Sequence, residues 1–402
     1  MTIDFRAAAG LAFTGAVMVL MSGTAHAQGQ GFARVHGSVE EVYDTNIFAV
    51  AETKTTQPEA DWITLFGPAV EAGYQTLPMR FEAHYGLNAE KYRTHTDLDK
   101  AVARQDAGTS LRYEGRTFSV NLRAGYLYTQ TPTDLNLETM IFVGRSLAQR
   151  ADSAEAFVFN VSPLTSVKLD HEFSRDSLVG AVSTLRHSAR LGIARKLSER
   201  STIRADYRPD LFDFSSGLQQ RSHAGTFGVV HAFSPMLEVE FDGGVRSTSG
   251  DIDPEIAAAM RHRMERGALA LRYVRTRETT IGEGASLEVQ RINAEVTYTP
   301  TRVIGFTIAP ARASSGGTLS HDVVYYLDIR TQIQAARRWA ILGVGRVGRQ
   351  DRRIPISAAT DPITGEIFPT SAAIDYRSIS FKTIVTLGPL ERKREDAETE
   401  TP

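Results

Sequence analysis

The chain has 402 residues, and its 45 Lys and Arg side chains nearly balance its 47 Asp and Glu. That balance excludes the strongly basic surface of an obvious nucleic-acid binder, and the length allows two or three soluble domains or one large barrel. Cysteine is absent, which excludes disulfides, a thiol nucleophile, a lipidated N-terminal Cys and any Cys-based metal site.

The first segment reads as a targeting signal. Arg6 precedes an apolar run from Ala7 to Met21, followed by small and polar residues and Ala25-His26-Ala27. These are the n-region, h-region and A-x-A cleavage site of a secretory signal peptide, expected to span residues 1–27. The alternative, an N-terminal membrane anchor, calls for a longer run. No later apolar run reaches about 18 residues, so no helical span is expected after it. Export without cysteines and with amphipathic strands suits a bacterial envelope protein.

From there the chain repeats one unit: an alternating strand, a short turn, a second strand and a longer polar loop. The first strand is expected over Phe32–Tyr43, with a polar loop over Phe48–Asp61. Trp62–Leu77 and Arg80–Tyr92 form the clearest pair, turned by Thr76-Leu77-Pro78-Met79. In the second of these, Phe81, Ala83, Tyr85, Leu87 and Ala89 alternate with Arg80, Glu82, His84, Gly86, Asn88 and Glu90. A period of two places the two sets on opposite faces of one strand.

A strand ending near Tyr113 follows, and Glu114-Gly115-Arg116 turns into Phe118–Tyr128, with Arg123 on the polar face. A long loop spans about Thr131 to Leu147. Ser162-Pro163-Leu164 turns into Val167, Leu169 and Phe173 against Lys168, Asp170 and Glu172. Leu185–Leu197 carries Arg186, Ser188, Arg190 and Lys196 on its polar face, and Ile203, Ala205 and Tyr207 oppose Arg204 and Asp206. After Ser234-Pro235-Met236, Leu237, Val239 and Phe241 alternate with Glu238, Glu240 and Asp242. Glu255 to Met264 is the best helix candidate, and it is too short to set the architecture. Leu269 to Tyr273 marks the next strand, and a short further strand is expected within Thr276–Arg291. Ile292–Tyr298 carries Glu295 inward, and Val323–Ile329 opposes Asp328, Arg330 and Gln332. A Gly-rich strand reaches Arg349. A loop with Pro355, Pro362 and Pro369 precedes the last strand, about Ala373 to Leu387.

The expected fold is all-β: a single antiparallel up-and-down transmembrane β-barrel over residues 28–390. It has about eighteen strands, with sixteen the alternative count, and a water-filled lumen. In lipid only helices and closed barrels pair every backbone polar group, and helical periodicity is missing here. Tyr85, Tyr126, Tyr128, Tyr207, Tyr273, Tyr298 and Tyr325 are expected near strand ends as an aromatic girdle. A secreted β-helix or sandwich array is the soluble alternative. Its core would be thin, because the apolar face uses many Ala and Gly residues. The tail 391–402 is charged and expected to be disordered.

On the barrel reading, one wet wall collects Arg80, Glu82, His84, Asn88 and Glu90, then Arg123, Lys168, Asp170, Glu172 and Arg190. Further round come Glu238, Glu240, Asp242, Glu295, Asp328 and Arg330. Charged rings tune ion selectivity, and the plain alternative is that these groups solvate the interior and pair with one another. The stripe Glu238, Glu240, Asp242 disfavours anionic cargo unless neighbouring Arg side chains offset it. His171 and His231 fall on the apolar face, which alternation leaves unexplained.

Gly343-Val344-Gly345-Arg346-Val347-Gly348 has dinucleotide-binding spacing but is followed by a charged loop, not a helix, so a Gly-rich strand is the better reading. No His pair has zinc-ligand spacing with a third ligand near, and no G-x-S-x-G elbow appears. No enzyme activity, metal or cofactor is expected.

The opening stretch His36 to Phe48 contains Tyr43, Asp44, Asn46, Ile47 and Phe48. It resembles the first strand of the porin-2 type family of β-barrel porins found with bacterial exopolysaccharide loci. In that family a Tyr-Asp-x-Asn-(Ile/Pro)-Phe signature precedes the first outer loop. Independently of the family, Asp44 and Asn46 suit backbone hydrogen bonding where the strand leaves its ladder, and Tyr43 and Phe48 suit an interface. The resemblance implies an outer-membrane channel for exopolysaccharide or capsule export. Its partners would be outer-membrane lipid, a secreted polysaccharide and periplasmic export components, with no nucleic acid. A general diffusion porin and a non-transporting structural barrel are the alternatives. Tyr92 is a candidate for stacking on sugar rings. The charged tail departs from the aromatic ending of many such barrels, so the assembly signal would fall within Phe381 to Leu387.

Overall fold

The computed structural model describes residues 29–50, 56–136, 138–316, 321–336, 339–355, 359–360, 367–368 and 371–387. The expected signal peptide, the charged tail, Pro362 and Pro369 lie outside the described residues.

Alternation along each strand dictates a two-faced ribbon, and the ribbons join into one antiparallel sheet of 18 strands. In chain order these are β1 (Gln30–Asp44), β2 (Asp61–Gln75), β3 (Met79–Tyr92), β4 (Lys100–Glu114), β5 (Phe118–Thr129) and β6 (Ala148–Ser162). Then come β7 (Thr165–Leu178), β8 (Thr184–Ser198), β9 (Ser201–Phe214), β10 (Gln219–Ser234), β11 (Leu237–Thr248) and β12 (Asp251–Met264). The sheet continues through β13 (Gly267–Glu278), β14 (Leu287–Tyr298), β15 (Ile304–Gly316), β16 (His321–Ala336) and β17 (Trp339–Pro355). The two-residue strands β18 (Ala359–Thr360) and β19 (Ile367–Phe368) pair only with each other, and β20 (Ser371–Leu387) completes the barrel. Closure comes from β1 and β20, paired from Gly37↔Leu387 to Asp44↔Ser380. Among the described residues, no strand of the 18-stranded sheet is left with an unpaired edge.

The connections differ at the two ends. At one end the turns are short and set by local hydrogen bonds. The Thr76 N–H donates to the Met79 carbonyl at 2.7 Å, and the Ser234 hydroxyl accepts the N–H groups of Met236 and Leu237 at 3.2 and 3.1 Å. These are the Thr-x-Pro and Ser-Pro turns read from the sequence. The long connections, 45–60, 130–147, 279–286 and 356–370, all fall at the other end. Gln30 and Leu387 lie at the short-turn end.

The register separates the faces. Val35, Leu191, Ile292 and Val347 are 73%, 54%, 52% and 46% exposed on the outer surface. The charged sets alternate with them and face the interior. The glycines of the 343–348 stretch lie within β17, paired to β16 and β20, with no helix after them.

Two expectations need correction, and they cancel in the strand count. Thr276–Arg291 holds no separate strand: it is the end of β13, a loop and the start of β14. The helix candidate Glu255–Met264 is instead part of β12, paired from Thr248↔Asp251 to Leu237↔His262 with β11. The run Ala257-Ala258-Ala259 hides the alternation of Ile252, Ile256 and Met260 outward with Asp253, Glu255 and Arg261 inward. The turn that starts β12 has positive φ at both Ser249 (52°) and Gly250 (101°), as a two-residue hairpin turn demands.

The aromatic expectation is corrected as well. Tyr298 ends β14 and Tyr128 is next to last in β5, but Tyr85, Tyr207 and Tyr273 lie mid-strand. The strands run 12 to 17 residues, longer than the apolar band on them, so the ring falls partway along. The short-turn end carries its own row, with Tyr113 and Phe118 rings 5.1 Å apart and Phe118 and Phe159 6.4 Å apart.

Proline at Ala258, between Phe241 of β11 and Tyr273 of β13, removes a ladder donor from an interior strand. With Pro254 already in the β12 ladder, Ala258→Pro is expected to weaken the barrel, seen as loss of the compact gel band at a lower heating temperature. Ala258→Val keeps that band.

Candidate functional site: an in-folded loop across the lumen

The interior of a ring this wide cannot be filled by its own side chains. The 130–147 loop between β5 and β6 fills part of it. It starts with a 3-10 turn at Pro132–Leu135, and the Thr133 hydroxyl bonds both the N–H and the carbonyl of Val143 at 3.0 and 3.1 Å. Asn136 donates to the Ile141 carbonyl at 3.0 Å, which holds the loop in a compact bend.

That bend docks on the far wall. Ile141 is 1% exposed among Leu287 and Val289 of β14 and Val324 and Tyr326 of β16. The Phe142 ring lies 5.3 Å from Tyr326, and the Phe142 N–H donates at 2.7 Å to Gln350 of β17. Gln350 in turn donates to Asp322 at 2.8 Å. Arg291 of β14 pairs with Glu138 at 2.7 Å. On the near side Arg145 is ion-paired with Glu90 of β3 and stands 5.0 Å from the Tyr92 ring centroid. The loop therefore bridges β3 to β14–β17, across the barrel.

The 279–286 loop meets it. The Ile281 N–H donates to Asn136 at 3.0 Å, and Ile281 packs with Leu135 and Ala148. Ser286 bonds Gln220 of β10 twice at 2.9 Å, and Glu283 pairs with Arg352 at 2.7 Å. On the β1–β8 side of these loops a cavity of about 1890 Å³ remains, bordered by Arg34, Glu71, His84, Arg123, Asp152 and Glu172 among others.

Most of the inward residues named from the sequence are paired with neighbours. Arg80 pairs with Glu82 at 2.6 Å, His84 with Asp106 at 2.8 Å and Lys168 with Asp170 at 3.0 Å. Arg190 pairs with Asp206 at 2.8 Å, and Asp328 takes Arg346 at 2.7 Å and Arg330 at 3.4 Å. Each carboxylate of the acidic stripe is paired. Arg204 reaches Glu240 and Asp242, and Arg261 reaches Glu238 at 3.1 Å. Arg204 passes over Gly228 of β10, where a Cβ would collide with the Asp242 carboxylate. Asn88 sits opposite Arg104, Arg123 opposite Ser110, and Glu295 opposite Ala270. Glu172 and Arg123 border the cavity.

Sequence reasoning passed over the most buried set. Arg246, 1% exposed, binds Asp210 at 2.7 Å, Glu255 at 2.8 Å and the Ser222 hydroxyl at 2.8 Å. Arg208 joins Glu255 at 2.7 Å, and Arg186 joins Glu278 at 2.6 Å. Three guanidinium groups thus meet three carboxylates on the wall below the second loop. The available signal was Arg204, Asp206, Arg208 and Asp210 at spacing two. It said which face they share but not that a loop covers them. Tyr92 is corrected as a sugar-stacking candidate. It is 1% exposed, donates its hydroxyl to Glu90 at 3.1 Å and is covered by Arg145.

The opening signature knots the long-loop end of the barrel. Asp44 accepts the Asn46 N–H at 2.9 Å and the Ser378 hydroxyl at 3.2 Å, while Asn46 donates to the Val50 and Arg377 carbonyls at 2.8 and 3.0 Å. Tyr43 faces outward beside Trp62, ring centroids 5.1 Å apart. The Ile47 N–H donates to the Glu59 carbonyl at 3.0 Å. Phe48 leaves the outer surface and meets the His95 ring edge-on at 5.6 Å. His95 bonds Glu59 at 2.7 Å through Nε2 and Asp61 at 2.9 Å through Nδ1.

His171 and His231, anomalous in the sequence, both face outward. His231 bonds the Ser201 hydroxyl at 2.8 Å beside a bulge at Ala232/Ser234. His171 bonds Glu155 at 2.6 Å, midway along β6 and β7.

No family model and no curated protein matches the chain. Among solved structures it is similar to OccAB4 of Acinetobacter baumannii, at 8% identity and TM-score 0.46 over 90% of this chain and 99% of that one. OpdQ of Pseudomonas aeruginosa is similar at 11% identity and TM-score 0.46, over 90% and 98%. The siderophore receptor PirA of Pseudomonas aeruginosa gives 9% identity and TM-score 0.39, over 88% and 80%.

Two outcomes follow from this geometry. Ile141→Ala leaves a gap in the loop's most buried apolar anchor on β14 and β16, at about 2–5 kcal/mol for such truncations. Amide exchange in 138–145 should quicken while β14 stays protected. Bonding to Glu59, and next to Asp61, raises the His95 pKa above its ordinary value. The bonding of His95 to Glu59 and Asp61 is therefore complete below about pH 6.5, the ordinary histidine range, and weakens as pH rises through the raised value. Protection of amides 93–99, measured as exchange corrected for its intrinsic pH dependence, should fall as pH rises in the native chain, and His95→Asn should remove that change.

Proposed function

We propose that this chain is an outer-membrane channel whose cargo is hydrophilic, and that it serves export of exopolysaccharide or capsule. The observation that carries the channel reading is the division of faces around a closed ring. Outward positions are exposed and apolar, and inward positions are ionised and paired. Such a surface is costly in water and suited to acyl chains, where a closed barrel alone among sheets pairs all backbone groups. Even strand number, short turns at one end and long loops at the other agree with a periplasmic and an extracellular side. Transport would be passive: hydroxyl, carboxylate and guanidinium groups of the wall exchange hydrogen bonds with sugar hydroxyls, and no covalent step is involved.

The export reading rests on the resemblance of Tyr43 to Phe48 and on the paired, nearly neutral wall, which favours a polyhydroxylated cargo over a simple ion. A second reading has its own support. The 130–147 loop, anchored on both walls, is a fixed constriction of the sort that would sieve small solutes, so a general diffusion porin is the competing function.

Conductance in planar bilayers and polymer secretion by a deletion strain separate the two. Export predicts loss of surface polymer on deletion, restored by the native chain. Unchanged polymer with slowed uptake of small sugars supports the diffusion porin instead. In either case, removing residues 134–144 should raise single-channel conductance severalfold. A chain that stays folded in water without detergent would end the membrane reading.

A further inference from the structure

We propose that the outer surface of β13, β14 and β15 binds the phosphate of a phosphorylated glycolipid in the outer leaflet. This rests on the membrane reading above and adds a lipid site to it.

Tilted strands climb about 2.5 Å per residue along the barrel axis. Counted from the short-turn end, the seventh residue is Tyr85 in β3, Tyr207 in β9, Tyr273 in β13 and Phe381 in β20. These rings mark one level, the depth at which aromatics meet headgroups. Two residues further, the ninth positions of three consecutive strands are Arg275, Gln290 and Arg312. All three alternate with lumen-facing residues and so face outward, about 5 Å above the aromatic level. One more step adds Arg277 and Glu288.

The register brings them together. Arg275 lies opposite Gln290, Gln290 opposite Ser314, and Arg277 opposite Glu288, while Arg312 lies opposite Ile292. Three guanidinium groups stand against one carboxylate, an excess of two positive charges. Glu288 engages Arg275 at 2.8 Å and also accepts from Gln290 at 3.1 Å. The Arg277 Nε is buried with no hydrogen-bond partner among the described residues. Arg312 stands 5.8 Å from the centroid of the outward Tyr325 ring.

Two outward arginines at this height on β17 and β20 are neutralised within the protein. Arg349 pairs with Asp351 at 3.0 Å and Asp375 at 3.4 Å, and Arg377 pairs with Asp375 at 2.9 Å. The β13–β15 patch keeps its surplus at the depth where a lipid carries its charge. Guanidinium forks match phosphate oxygens bidentately, and a phosphate group brings one to two negative charges. The acyl chains below would lie along Leu269, Leu271, Ile292 and Ile308.

The test uses the purified full-length barrel in dodecyl maltoside, stripped of lipid and titrated with diphosphoryl lipid A under native mass spectrometry. A bound glycolipid adduct is expected. The triple variant Arg275→Gln, Arg277→Gln, Arg312→Gln should weaken it about tenfold or more, whereas Arg349→Gln, Arg377→Gln should not. Dephosphorylated lipid A should bind the native chain as weakly as diphosphoryl lipid A binds the triple variant. The unheated gel band checks that each variant is folded. If the triple variant folds and still retains lipid A fully, the site is wrong while the membrane reading stands. If inorganic phosphate at matched concentration displaces lipid A, the patch is a free-anion site and the lipid assignment falls.

Discussion

The backbone ladder closed between β1 and β20 is the constraint on which the rest of the molecule depends. A sheet of this size has either two open edges or none. Once it closes, each residue's face is decided by counting from its paired neighbour, because a slip of one residue turns a whole strand inside out. The register irregularities respect this. Those at Asn160/Ser162, Lys196/Ser198, Ala232/Ser234 and Ile333/Ala336 all fall at the short-turn end, outside the alternating stretches. The other, at Asn88/Glu90, sits at the loop end of β3, beside the carboxylate that holds Arg145.

Closure also creates the interior problem. Eighteen strands enclose more space than wall side chains can occupy, and two loops from opposite walls fold in and bond to each other through Asn136 and Ile281. Their arrival removes water from part of the wall. Ions left there must be paired, since a lone charge in such a place costs several kcal/mol. The three-to-three match of Arg186, Arg208 and Arg246 with Asp210, Glu255 and Glu278 meets that demand. Pairing rigidifies this wall, whereas the cavity side keeps more exposed groups such as Arg123. The lumen therefore has one closely paired wall and one wetter wall.

The outer surface follows the same logic with the sign reversed. Apolar residues predominate up to the aromatic ring, with Arg195 and His231 as polar positions near the short-turn end, and most outward charge appears above it. His171 and Glu155 sit near the ring's depth and answer each other with a hydrogen bond. Their exposure is tolerable because each removes the other's unpaired polar atom.

The sequence by itself determined the all-β class, the two-residue period, the division of faces and the turns at Thr76-Leu77-Pro78-Met79 and Ser234-Pro235-Met236. These are local properties: side-chain direction and hydroxyl-to-backbone bonding act within a few residues. The β12 strand escaped because Ala257-Ala258-Ala259 carries almost no polarity contrast, so only its ladders to β11 and β13 identify it. The tertiary structure alone decided that the 130–147 loop crosses the lumen, that Tyr92 is covered and that Arg246 is buried. Each of those facts joins residues far apart in the chain, as when Phe142 meets Gln350. No pattern within a single strand encodes which distant surface a loop will find, because that choice is made by the shape of the closed ring.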